Sequence, residues 1–386
     1  MVYTYTDIKD LVNGALHGKV DNLQSALKTI NQGVRKALGS VDLRTTKRKA
    51  NISPNLFNEV YDYACPTDLK GMAIIDVAPQ VNRERDQDVD LVSPEEFDRR
   101  KATDHNLVAL YDYNGTRRVR VSMDIDDDSL VVSELDALTS GGGTWTLFGD
   151  GTNVRADNDN YVKGNGSIAW DISAAGGTTA GIYNSTLDTF DLTDYLSAGS
   201  VFVWVYITSA TNLTNFIIRI GTDSSNYFTK TVTTNNEGTS FYAGWNLLRF
   251  DFATATETGT VTDDTCNYVA LYMTKTAGKI SETNYRFDWL VVKRGEIHDL
   301  LYYSKYGWQS STGTYLENST ATTDYINADT EEIDIIVGYI AEIGMKELRD
   351  YDDWKIQKSE NIELSKAYQM KYPSEAKVYT TEYYQM

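Results

Sequence analysis

The side chains best suited to catalysis are few and scattered. The chain of 386 residues holds three histidines, His17, His105 and His298, and none has a second ligand at metal spacing. No His-Glu-x-x-His or Gly-x-Ser-x-Gly pattern occurs, so neither a catalytic zinc nor an activated serine has residues to work with. Each histidine reads as a solvated or hydrogen-bonded surface residue. Cys65 and Cys266 stand alone, without a CxxC or a Cys/His cluster, which leaves zinc no site. They read as two isolated buried thiols in different modules, so no disulfide is expected. No glycine-rich loop joins a strand to a helix, and the glycines at 141–143 read as a linker. Asp124, Asp126 and Asp128 alternate like the first ligands of an EF-hand. However, Ser129 stands where the turn needs glycine and Leu135 where a bidentate glutamate belongs. That run, with Asp127, reads as a solvated turn at a module boundary. Carboxylates are plentiful, yet nothing singles out the pair a glycoside hydrolase needs. No enzyme activity is expected.

The aromatic residues offer a different chemistry. Planar side chains stack on sugar rings, and Tyr183, Tyr206, Tyr227, Trp245 and Tyr272 are the candidates for such contacts. For each, the rival reading is packing in a core or between sheets.

The segment carrying these aromatics differs from the rest of the chain. From 140 to 295 the sequence is rich in Thr, Asn, Ser, Gly and aromatics, with strand-like runs at roughly ten-residue spacing. The clearest runs are 167–172, 200–207, 215–220, 227–232, 245–252, 267–274 and 285–292. In 200–207 the residues Val201, Val203 and Val205 alternate with Phe202, Trp204 and Tyr206, as in a strand covered on both faces. Many short strands with turns between them predict a β-sandwich.

The flanks are helical with short strands. Thr6 caps a predicted helix with Ile8, Leu11, Val12, Ala15 and Leu16 on one face. A second follows through Leu23, Leu27, Ile30, Val34 and Leu38, with Asp21 or Asn22 as cap and Gly39 as stop. Ser93-Pro94 opens a short helix, and Asn114-Gly115 turns a hairpin between 106–113 and 117–125. Asp329 and Glu332 form a capping box for a late helix, and another covers 354–370. The Tyr-rich tail, 377–386, reads as an added strand or an arm. The expected architecture is multidomain α+β. A split helical and short-strand domain, 1–139 and 296–386, carries an inserted all-β sandwich at 140–295.

Net charge is −19, which opposes general binding to nucleic acid or anionic membrane and suits either a soluble subunit or the wall of a channel that repels DNA. No apolar run approaches the ~20 residues of a membrane-spanning helix. The opening MVYTYTDIKD has no positive n-region before an apolar stretch, so no secretory signal is expected.

Two resemblances join these observations. Gly164-Asn-Gly-Ser-Ile-Ala-Trp170, Asp191-Leu-Thr-Asp-Tyr195, Gly221-Thr-Asp-Ser-Ser-Asn-Tyr227, Gly244-Trp-Asn246 and Arg286-Phe-Asp-Trp289 resemble, in order and spacing, the strands of jelly-roll carbohydrate-binding modules. That resemblance implies a sandwich fold and a role for Asp288 in a structural calcium site. Tyr63-Ala-Cys-Pro-Thr-Asp-Leu69, Ser93-Pro-Glu-Glu-Phe97, Leu301-Tyr-Tyr-Ser-Lys-Tyr306 and Tyr372-Pro-Ser374 resemble head–tail connector (neck adaptor) proteins of tailed bacteriophages. This second resemblance implies a structural virion subunit, assembled in the host cytoplasm as a homo-oligomeric ring, a dodecamer as in that family. Such a ring would bind the portal protein and other neck or tail proteins, pass DNA without reading its sequence, and touch no membrane. The alternative is a carbohydrate-binding tail or adhesion protein that recognises host surface glycans.

Overall fold

The computed structural model describes residues 1–376 apart from 53–54, 80–88, 102, 105, 114–115, 124, 126–127, 175 and 279–280. His105, the Asn114-Gly115 turn, Asp124, Asp126, Asp127 and the tail 377–386 therefore lie outside the described residues. The chain divides into two compact units. Unit 1 takes Met1–Asn51, Cys65–Leu91 and Asp299–Met386, and unit 2 takes Ile52–Ala64 and Val92–His298.

Among the described residues, unit 1 is built on four helices. In α1 (Tyr5–Ala15), the cap is Thr4, two residues before the predicted Thr6. Asp7 at the third helical position accepts from the Thr4 backbone N–H while the Thr4 hydroxyl accepts from Asp7 N, so two otherwise unmet donors are satisfied together. In α2 (Ala26–Ser40), Ser25 caps through Lys28 N, not Asp21 or Asn22. Those two residues instead form a short 3₁₀ turn, Val20–Asn22, and Gly39 lies inside the helix. The predicted Asp329–Glu332 capping box starts α4 (Thr330–Glu347). Helix α4 is the hub of the unit and buries Ile333, Ile336, Ile340, Ala341 and Met345. Close packing there depends on glycine: a Cβ on Gly33 of α2 would lie 2.4 Å from the Ile340 backbone. The last helix, α5 (Tyr351–Lys371), packs the opposite way round. Its buried residues are Asn361, Ser365 and Tyr368, whereas Ile356, Ile362, Leu364 and Met370 are exposed. Asn361 donates to Gly338 O and to Glu342, and Tyr368 donates to Glu332 at 2.7 Å.

Two small sheets complete unit 1. One orders Val2–Thr4, Tyr325–Asn327, Trp308–Gln309 and Tyr315–Leu316; the other places His298–Ser304 between Lys47–Asn51 and Leu69–Pro79.

Unit 2 contains the sandwich. One sheet orders Gly151–Asp157, Ser167–Ile172, Glu282–Arg294, Gly199–Ile207 and Gly244–Asp251, with Ser129–Ser133 also pairing to Glu282–Arg294. The other orders Thr256–Thr258, Tyr227–Val232, Leu213–Gly221, Tyr268–Lys275, Thr179–Asn184 and Thr146–Gly149. The inward sets interleave as period-2 alternation requires: Val201, Val203, Val205, Leu248, Phe287 and Trp170 from one sheet meet Phe216, Ile218, Ile220, Val269, Leu271 and Ile182 from the other. Strand Ser129–Ser133 carries this sheet ahead of residue 140. The glycines at 141–143 are a packed turn and not a linker. All three have positive φ, and Cβ atoms there would meet Leu187, Asp188 and Thr186. Elsewhere in unit 2, Thr116–Ser122 pairs with Leu107–Tyr113, as the hairpin reading expects, and with Asp62–Ala64. Ser93 caps α3 (Pro94–Arg100) through Glu96 N.

Among the sequence candidates, only some sit as surface groups. His17 is exposed at the end of α1, 3.8 Å from Asp353. His298 is fully buried, a correction that follows from its place at the start of a strand covered on both faces. Cys266 is buried while Cys65 is only half-buried, so just one of the two is a core thiol.

Candidate functional site

The outer face of the Leu213–Gly221/Tyr268–Lys275 sheet is where the aromatic residues gather. Cross-strand partners share a face, so the register can be read row by row. One row runs Phe148, Gly181, Tyr272, Ile217; the next runs Thr146, Tyr183, Ala270, Arg219, Thr229; a third runs Tyr268, Gly221, Tyr227. Each glycine row has an aromatic pair closing over the missing side chain. Phe148 and Tyr272 stack across Gly181 with centroids 4.4 Å apart, and Tyr227 and Tyr268 meet across Gly221 at 6.3 Å. A Cβ on Gly181 would fall 2.5 Å from the Tyr272 Cα, so the glycine is what lets the ring lie down.

Arg219 lies over this floor. Its guanidinium is 4.8 Å from the Tyr227 ring centroid, 5.3 Å from Tyr272 and 5.9 Å from Phe148. Among the described residues no carboxylate lies within ion-pair distance of it, so its charge is balanced by the faces of the rings. Burial raises the phenol pKa of both Tyr268 and Tyr272, while the nearby Arg219 charge works the other way. Tyr183, Tyr227 and Phe148 remain half-buried, with ring surface open to a partner.

Three of the five sequence candidates, Tyr183, Tyr227 and Tyr272, therefore share one face. Tyr206 and Trp245 do not. They pair across the other sheet, edge to face at 5.4 Å, with the Arg286 guanidinium 4.9 Å from the Tyr206 ring. Arg219, Phe148 and Tyr268 complete the face and were not singled out from sequence. The signal for Arg219 was its parity: Phe216, Ile218 and Ile220 are the apolar inward set, so the residue between them points out.

Asp288 lies on the opposite sheet and is fully buried. Its Oδ2 accepts from Val162 N at 2.5 Å and Lys163 N at 3.0 Å, pinning the 157–166 loop, while its buried Oδ1 has no donor. Burial pushes the carboxyl up to about 6, against the pull of those two N–H groups. Calcium takes six to eight oxygens. Among the described residues no three His, Cys, Asp or Glu side chains gather at one point. One orphan oxygen does not make such a cage, and the side chains at Asp288 do not fit the ion.

No protein-family model matches the sequence, and no curated protein matches it. Similarity to solved structures covers part of the chain. The family 11 carbohydrate-binding module of the cellulosomal cellulase Lic26A-Cel5E of Clostridium thermocellum is 10% identical at a TM-score of 0.30, over 44% of this chain and 96% of that one. A family 30 carbohydrate-binding module is 10% identical at 0.32, over 43% and 98%. An exo-β-agarase is 7% identical at 0.32, over 44% of this chain and 26% of its own. Among the described residues no helix is long and apolar enough to cross a membrane.

Proposed function

We propose that unit 2 binds a glycan on the sheet face where Tyr183, Tyr227, Phe148 and Arg219 remain open above the buried Tyr272. The observation that carries this reading is the aromatic floor with a guanidinium that has no carboxylate partner. Ring faces supply C–H/π contact area to a sugar, and the Arg219 N–H fork supplies donors to its hydroxyls. A glycan array probed with the full chain tests it. Tyr227→Ala and Arg219→Ala abolish the signal, and Tyr206→Ala on the other sheet leaves it intact. Signal lost with Tyr206→Ala but kept with Tyr227→Ala moves the site elsewhere.

A second reading, a self-assembling subunit such as a phage neck ring, draws on α5. Ile356 is 58% exposed and Met370 79%, as on a helix that another subunit covers. Light scattering on the purified chain tests it, and a monomer at all concentrations counts against it.

A further inference from the structure

A cleft of about 300 Å³ opens on the outer face of the other sandwich sheet. Its lining includes Trp204 and Trp289 together with Glu59, Lys163, Asn236 and Glu237. Every lining residue belongs to unit 2.

Three observations point to a ligand. First, Trp289 holds φ at +55°, the left-handed region that costs a bulky residue about 1–3 kcal/mol. The pairing shifts register between Phe202 and Trp204, so a bulge there brings Trp289 round to the face that Trp204 shares. Strain is thus spent on aiming an indole into the cleft. Second, Asn236 is 6% exposed and donates to Asp62 O at 2.7 Å, yet among the described residues its buried Oδ1 has no donor. A buried acceptor left unmet is costly, and a ligand hydroxyl would satisfy it. Third, several of the charges around the cleft are already paired. Lys163 meets Glu59 at 2.6 Å, Lys101 meets Asp98 at 2.8 Å, and Glu237 pairs with Arg118. Paired ions call for no counter-charge from a ligand but still offer N–H donors and carboxylate acceptors. The Lys163 ammonium also sits 5.2 Å from the Trp289 ring centroid, fixing the indole in place.

We infer that this cleft is a second binding site, of pocket type, for a single neutral sugar residue. The ring's apolar face stacks on indole, one hydroxyl donates to Asn236 Oδ1, and others bridge the Lys163–Glu59 pair. The volume is at the small end of ligand pockets, which suits one ring and not an extended chain. This assignment stands independently of the aromatic face on the other sheet.

The experiment is saturation-transfer NMR and tryptophan fluorescence on the full chain, titrated with glucose, galactose, mannose, xylose and arabinose. At least one of these is expected to bind. Trp289→Gly removes the indole and relieves the positive φ; with its fold checked by thermal unfolding, it weakens that sugar by roughly tenfold or more. Tyr351→Ala, at the exposed start of α5 and outside both sites, leaves it unchanged. The assignment is overturned if no neutral sugar binds at up to about 100 mM, well above a millimolar Kd. It is equally overturned if Tyr227→Ala removes binding that Trp289→Gly retains.

Discussion

Asp288→Asn is expected to stabilise the protein at neutral pH. The side chain is fully buried, and its carboxyl is pushed to about 6 from an ordinary 3.8. The difference corresponds to about 3 kcal/mol, with desolvation outweighing the two N–H donors. The sign follows from linkage. Between pH 3.8 and 6 the folded chain holds a proton that the unfolded chain releases, so this group's contribution to stability falls as pH rises through that window and levels off above it. Asparagine keeps one oxygen for Val162 N and Lys163 N and carries no charge, so it escapes that loss. Urea denaturation followed by tryptophan fluorescence suits the test, because five of the seven tryptophans (145, 170, 204, 245 and 289) lie in unit 2. The variant should exceed the wild type by about 2–3 kcal/mol at pH 8 and converge with it near pH 4. A variant less stable at pH 8, or a difference flat across pH, refutes the reasoning. So does loss of wild-type stability on adding a chelator, since Oδ1 would then be a metal ligand.

Other consequences are as direct. Gly33→Ala forces a methyl into the Ile340 backbone and should cost about 1–3 kcal/mol in thermal unfolding. Asp329→Ala removes both the α4 cap and the 2.8 Å contact with Arg44, at about 1 kcal/mol or slightly more by the same measurement. Burial pushes the Cys266 thiol up to about 12, so at pH 8 iodoacetamide should label Cys65 and leave Cys266 untouched until the chain is denatured.

The sandwich was legible because its strands declare themselves by alternation. Val201, Val203 and Val205 need a core, and the turns between strands are rich in Gly, Asn and Ser. The capping box at Asp329 was equally plain, being a local exchange of two hydrogen bonds. What sequence could not supply was the cover. Whether Phe202 and Trp204 face water depends on residues far away in the chain: Phe57 meets Phe202 edge to face at 4.8 Å, and Asn236 bonds to Asp62. The cleft exists only because those distant segments arrive there. The aromatic candidates divided between two sheets for a related reason. Strand order, not spacing along the chain, decides which tyrosines become neighbours. The buried histidine was misjudged because nothing local distinguishes a strand covered on one face from one covered on both.

The polar seam between α4 and α5 has a consequence for how the molecule opens. A helix held by Asn361, Ser365 and Tyr368 releases little apolar surface when it lifts away, and the buried Glu332 and Glu342 regain water as it goes. Opening at that seam therefore costs far less than opening the sandwich. In hydrogen exchange α5 should lose protection as a block while Val201–Val205 stays closed.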